Sequence, residues 1–285
     1  VAVGFQPDFT WFKVRNQAYG HALFDVIRGA GNALQSNNTN AEVAWGSSTL
    51  TAFTSTGLTL GADTTYLVVN SSGNTFVAWN WKANGAGSSN TSGSITSTVS
   101  VNTTSGFSIV TYSGNGTTGA TIGHGLGATP GMIIIKQRNQ VNDWPVWHTS
   151  LTGGGTLYLD TTLPQTTYLN RFGTVGSTTF ASGSLGGDIN TSGINYVAYC
   201  FAPIAGYSAF GSYTGNGSSI GPFIYTGFRP TYVLIKSTNA SGSWYIWDNA
   251  RNTYNSEQSC LFPDLSNAEI TSSVYATNVL SNGFQ

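Results

Sequence analysis

Gly127-Ala128-Thr129-Pro130-Gly131-Met132-Ile133-Ile134-Ile135-Lys136 decides the fold, because the chain writes this passage three times. Its Gly, Pro and Lys recur at identical spacing as Gly4, Pro7 and Lys13, and again as Gly227, Pro230 and Lys236. The apolar run before the lysine recurs as Phe9-Thr10-Trp11-Phe12 and as Tyr232-Val233-Leu234-Ile235. Twelve residues after each lysine stands a polar residue preceded by an aromatic one: Phe24-Asp25, Trp147-His148 and Trp247-Asp248. Self-similarity of this kind marks stacked or strung modules. Side chains of a strand alternate between its faces, so runs that are apolar at successive positions describe strands covered on both sides, as in a β-sandwich.

Two further repeats set the module. Asn70-x-x-Gly73-x-x-Phe76-Val77-Ala78-Trp79 matches Asn190-x-x-Gly193-x-x-Tyr196-Val197-Ala198-Tyr199, and Tyr112-Ser-Gly-Asn-Gly116 matches Tyr213-Thr-Gly-Asn-Gly217. The expected organisation is a first module over 1–82 that lacks its opening strand, a second over 106–203, and a third over 204–285 that lacks its final strand. Residues 83–105, rich in Gly, Ser, Thr and Asn, read as a flexible linker or an edge strand. Copies two and three meet near Ala202-Pro203 with almost no linker and are expected to pack together. A missing strand leaves an open edge, which a neighbouring chain can fill by strand addition. Short apolar runs between Gly, Asn, Ser and Pro clusters, with few stretches of helical period, make the chain all-β.

Composition narrows the function. Charged residues are 7% of the chain, against about 25% in ordinary globular domains. With 40% hydrophobic residues and a net charge of -1, this is a folded chain with a neutral surface of hydroxyls and amides. Nucleic acid is excluded as a partner, since the scattered basic residues form no phosphate-binding patch. No apolar run is long enough for a membrane-spanning helix, so membrane insertion is not expected. Cys200 and Cys260 are expected to be small buried residues rather than a disulfide framework.

Trp144 and Trp244 lie three residues before Trp147 and Trp247, so each pair points to opposite faces of its strand. The column Phe24, Trp147, Trp247 is aromatic throughout and reads as core. The column His21, Trp144, Trp244 varies and reads as outward-facing, making these three the glycan-contact candidates, with partial burial against a loop as the competing reading. Asp25 with Arg28, and Asp248 with Arg251, stand where copy two has His148 and Leu151. A reaction centre would have to survive that loss, so the pairs read as local braces, worth about 0 to 1 kcal/mol if exposed. Lys13, Lys136 and Lys236 read as charges that protect strand ends from unwanted pairing. Gly123-His124-Gly125-Leu126-Gly127 precedes a strand and not a helix, so it is a turn and not a phosphate loop. The three histidines have no ligand-like spacing. No catalytic residue, metal or cofactor is nominated.

Gly106-Phe-Ser-Ile-Val-Thr-Tyr-Ser-Gly-Asn-Gly116, Ile122-Gly-His-Gly-Leu-Gly127, Tyr196-Val-Ala-Tyr-Cys-Phe-Ala202 and Gly221-Pro-Phe-Ile-Tyr-Thr-Gly-Phe-Arg-Pro230 resemble a repeat domain of unknown function found in large virion proteins of tailed, mainly marine, bacteriophages. The resemblance implies a lectin-like or jelly-roll-like β-sandwich, a place on the virion surface, other virion proteins as partners, homo-oligomers such as trimers, and contact with a host surface glycan. It implies no catalytic residues. The expected function is therefore a non-enzymatic virion structural protein: tail fibre, appendage or capsid decoration. The alternatives are a receptor-binding lectin, an extracellular filament or surface-layer subunit, and a polysaccharide depolymerase, which needs two carboxylates about 5 to 10 Å apart in a cleft.

Overall fold

The structure, a computed structural model, describes residues 1–167, 170–252 and 254–285. The three lysine-terminated runs each form the strand on which a sheet is built. In the first segment β1 (Phe9–Val14) lies between β2 (Ala22–Asp25) and β3 (Phe76–Trp81). In the second, β4 (Ser88–Asn90), β5 (Ser97–Asn102), β6 (Phe107–Ser113), β7 (Met132–Gln137), β8 (Pro145–His148), β9 (Leu157–Tyr158) and β10 (Asn195–Phe201) make one antiparallel sheet, in the order β9-β8-β7-β10-β6-β5-β4. In the third, β11 (Tyr232–Lys236) pairs with β12 (Trp244–Asp248) alone. Among the described residues helix is confined to one four-residue turn, Gly187–Asn190, and two 3-10 turns, so the protein is all-β.

The unbroken apolar runs are explained by cores on both faces. Phe9 and Trp11, Met132 and Ile134, and Tyr232 and Leu234 all join one cluster shared by the three segments. The alternate residues face inward to each segment's own cluster: Phe12 in the first, Ile133 and Ile135 in the second, Val233 and Ile235 in the third. In the shared core Phe9 stacks on Tyr199 at 4.2 Å and on Trp81 at 5.1 Å between centroids. Such pairs contribute about 0.5–1.5 kcal/mol each beyond their buried area. The second and third segments do pack together, through Trp244 and Ile246 in this common core.

The repeated glycine has a backbone cause. Gly4, Gly127 and Gly227 sit at φ of 87°, 69° and 83°, in the left-handed region that side chains with a Cβ avoid. Residues 83–105 are not a free tether. Ser97–Asn102 pairs with β6 along Ser97↔Tyr112 to Asn102↔Phe107 and with β4 on its other side, so this stretch is built into the sheet and β4 is its edge. Ser97, Val99 and Ser100 are buried, so a run of small hydroxylated residues still forms a ladder within a packed sheet.

Candidate functional site

The polar residues that recur with the repeat meet at three seams, where one segment docks on another. Lys13 and Lys136 are fully buried, and their strand-end role is overturned: each side chain reaches a loop of another segment, Lys13 one in the third and Lys136 one in the first. The Nζ of Lys136 donates to the carbonyls of Thr39 at 3.1 Å and Asn142 at 2.9 Å. Lys13 donates to Ser266 O at 3.3 Å, and the half-buried Lys236 to Thr162 O at 3.0 Å and to Gly242 O. Burial disfavours the ammonium and pushes Lys13 and Lys136 down to about 8, against partial support from Glu269 for the first and Asp160 and Asp143 for the second. A buried lysine is tolerated here because loop carbonyls, which have no sheet partner, receive its protons.

His21, Trp144 and Trp244 do the same work and are not outward-facing. They are 0%, 0% and 4% exposed, so a sugar cannot reach them. Trp144 Nε1 donates to Gln35 O at 3.0 Å and Trp244 Nε1 to Tyr158 O at 2.8 Å. His21 Nδ1 accepts from Trp11 Nε1, which leaves the proton on Nε2 to donate to Phe262 O at 2.8 Å. Burial first, then the charge of Lys13, holds this imidazole neutral with its pKa down at about 3. What the column shares is a ring N–H donor. The same three residues receive a side-chain acceptor on their backbone N–H from Asn37, Asp160 and Asp264. Of the companion column, Phe24 and Trp247 are core residues and Trp147 is half-buried against the second segment's cluster.

The direction of these bonds is cyclic: first segment to third, second to first, third to second. Backbone bonds return across the same three seams in the opposite sense, Glu269 N donating to Arg15 O, Glu42 N to Arg138 O and Gln165 N to Thr238 O.

Asp25 and Arg28 belong to one seam rather than to an exposed loop. Both are buried, Arg28 also pairs with Glu42, and Glu42 takes Arg138 of the second segment at 2.8 Å. Tyr199 Oη donates to Asp25 at 2.8 Å. The first-to-third seam repeats the set with Asp248, Arg251, Glu269 and Arg15, and with Trp79 Nε1 donating to Asp248 at 2.9 Å. Burial alone would raise Glu42 and Glu269, but their arginine bonds outweigh it and hold both below the ordinary carboxylate range. The third-to-second seam carries His148, Leu151, Gln165 and Thr238 at the matching places, so all four charges are exchanged together. Both pairs are buried in their seams, so the energetics of an exposed pair do not apply to them.

Beside that third seam lies a cleft of about 1250 Å³, lined along one wall by Tyr232–Lys236 and along another by Tyr207–Tyr213, with His148, Leu151 and Trp81 between. Burial pushes the Asp160 carboxyl up to about 7, with the Trp144 N–H bond opposing and Asp143 adding to the rise. Its counterpart Asn37 makes the same backbone bond without a charge, so the shared role is the bond. Among the described residues no group of three His, Cys, Asp or Glu is placed to hold a metal ion. Cys200 and Cys260 are buried and free, with burial pushing both thiols up to about 12.

The seams were missed in the sequence because their carbonyl partners are backbone atoms. The signal that could have found them is the joint change of Asp25, Arg28 and Glu42 to His148, Leu151 and Gln165. No curated protein and no solved structure matches the chain. One family model does, along residues 1–285, and the chain belongs to that family, Domain of unknown function (DUF7483).

Proposed function

We propose that this chain is a non-enzymatic structural protein of bacteriophage virions, built as three β-sandwich modules closed on one another and displayed on the particle surface as part of a tail fibre, appendage or capsid decoration. One observation carries the reading. The polar side chains that recur with the repeat, three lysines and three ring N–H donors, are engaged in bonds between segments up to 253 residues apart. That is chemistry for holding a shape. The neutral surface and the resemblance of the motifs to virion repeat domains support the particle location, with other virion proteins as partners. The lectin alternative loses the indole rings on which it stood, since both are buried.

The test is immunogold labelling of intact particles with antibody to residues 1–285, with peptide mass spectrometry of the purified virion. Labelling of the particle surface is expected. Absence from particles, labelling of a cell surface layer instead, or release of reducing ends from host polysaccharide by the purified chain would overturn the reading.

A further inference from the structure

Two of the three repeated strands have partners on both edges, and the third does not. β1 is paired with β2 and β3, and β7 with β8 and β10, whereas β11 has β12 on one edge and no ladder on the other among the described residues. The two filled positions agree in register. Phe9, Trp11 and Lys13 face Trp81, Trp79 and Val77; Met132, Ile134 and Lys136 face Phe201, Tyr199 and Val197. Transferred to the third segment, Tyr232, Leu234 and Lys236 call for an aromatic, an aromatic and a valine.

The far wall is also prepared. β10 is central because its other edge pairs with β6, from Phe107↔Phe201 to Tyr112↔Tyr196. The counterpart of β6 is Gly206-Tyr207 through Tyr213; it lines the cleft and, beyond a single bridge from Ser208 back to Ile204, joins no ladder among the described residues. Phe107 and Tyr112 are 1% and 6% exposed under β10; Tyr207 and Tyr213 are 59% and 46% exposed. Exposed aromatic residues on one side and an unpaired edge on the other are the two halves of a position for one strand.

A polar group specifies the centre of that strand. Tyr199 and Trp79, the central residues of the two filled positions, each donate to the aspartate of the segment they dock on. In the third seam that place is His148, which lines the cleft. Its Nδ1 accepts from Ser150 N at 3.1 Å, and burial lowers its pKa, so the neutral ring carries its proton on Nε2. The Nε2 atom of this half-buried ring makes no hydrogen bond among the described residues and is free to donate to an acceptor in the cleft. A tyrosine hydroxyl can accept; an indole N–H cannot.

We propose that the groove between Tyr232–Lys236 and residues 207–213 accepts a polypeptide segment from outside residues 1–285 as a central antiparallel strand, with the pattern aromatic-Val-Ala-Tyr-x-aromatic. It rests on the three-module part of the reading above and is independent of the virion location. A second copy of this chain is the poorer occupant. Its two segments of this pattern, Phe76–Trp81 and Asn195–Phe201, are already built into its own sheets, and withdrawing one opens a position for each one filled.

The test uses the full chain and a synthetic peptide reproducing residues 190–201 with Cys200→Ser. Titration calorimetry should show one site, and hydrogen exchange should slow at the amides of 232–236 and 207–213 on binding. The peptide carrying Tyr199→Trp should bind roughly tenfold more weakly, the loss of one hydrogen bond. The peptide carrying Val197→Pro, which cannot extend the ladder, should not bind. No binding, protection elsewhere, or equal affinity for the proline peptide would overturn the proposal. So would protection of 232–236 that grows with chain concentration without peptide, which would make a second copy the occupant. Binding by a chain that is found on no virion would leave this proposal intact and remove only the particle location.

Discussion

Trp244 Nε1 donates to the carbonyl of Tyr158 at 2.8 Å, 86 residues away, and both groups are closed off from water. Trp244→Phe keeps most of the apolar volume and leaves that carbonyl without a donor. An unsatisfied buried acceptor costs about 1–3 kcal/mol, so urea unfolding of Trp244→Phe and of Trp144→Phe should shift to lower midpoints with little change in slope. Binding of the folded variants to host cells should not change, because neither ring is on the surface.

The two ionic seams make a sharper forecast. Arg28→Leu alone strands Asp25 in the interior, leaves Glu42 with Arg138 only, and should destabilise by about 3–5 kcal/mol. Adding Asp25→His, Glu42→Gln and Arg138→Thr recreates the set the third seam already uses, His148, Leu151, Gln165 and Thr238. The fourfold variant should recover most of the loss, despite carrying three more substitutions. If instead the four losses add, as those of independent residues do, the seams are not equivalent.

Asp160 gives a pH signature. Its folded pKa of about 7 lies above its ordinary 3.8, so between these values the native state holds a proton that the unfolded chain has released. Its contribution is fully present below about pH 4 and is lost as pH rises through about 7. Asp160→Asn, which copies Asn37, should remove that slope. The variant should be more stable than the parent above pH 7, by about 1–2 kcal/mol, and the gap should close toward pH 4. Chemical denaturation across pH 4–8 measures it.

Both thiols should be silent in the native protein. Thiolate is the reactive species, and Cys200 and Cys260 are buried with their pKa raised to about 12. Iodoacetamide followed by peptide mapping should label neither at neutral pH and both after unfolding.

How far the sequence could be read depends on which atoms carry the bonds. The all-β class, the successive apolar runs of β1, β7 and β11 and the burial of the two cysteines follow from side-chain pattern, and all are in the structure. Residues 94–101 were legible as a possible edge strand, and the place of Ser97–Asn102 inside a seven-stranded sheet, between β6 and β4, was not, since register depends on a partner elsewhere in the chain. Lys136 ends an apolar run, and charge in that place ordinarily means a solvent-facing edge. Its actual partners are the backbone oxygens of Thr39, Gln140 and Asn142, which carry no residue-type signature. His21, Trp144 and Trp244 were misread because they differ in size and aromatic class; what is constant is a ring nitrogen that donates. The cleft beside β11 is the converse case. The unfilled edge was visible as a repeat unit without a counterpart, but the identity of its second wall needed the ladder between β6 and β10.

The cyclic direction of the seams sets the order of events during synthesis. Lys13, Arg15 and His21 take their partners from Ser266, Glu269 and Phe262, which leave the ribosome 241 to 254 residues later. The second segment can dock on the first as soon as it emerges, since Trp144 and Lys136 look back to Gln35 and Thr39. The first segment's own buried ammonium and imidazole wait until residues 262–266 are out. Contacts of such sequence separation form slowly because a long loop must close before they reward it. The nascent protein therefore passes through a stage in which two segments are docked and β1 still shows the shared core to solvent, and that stage is where a chaperone, or an early release from the ribosome, would make its difference.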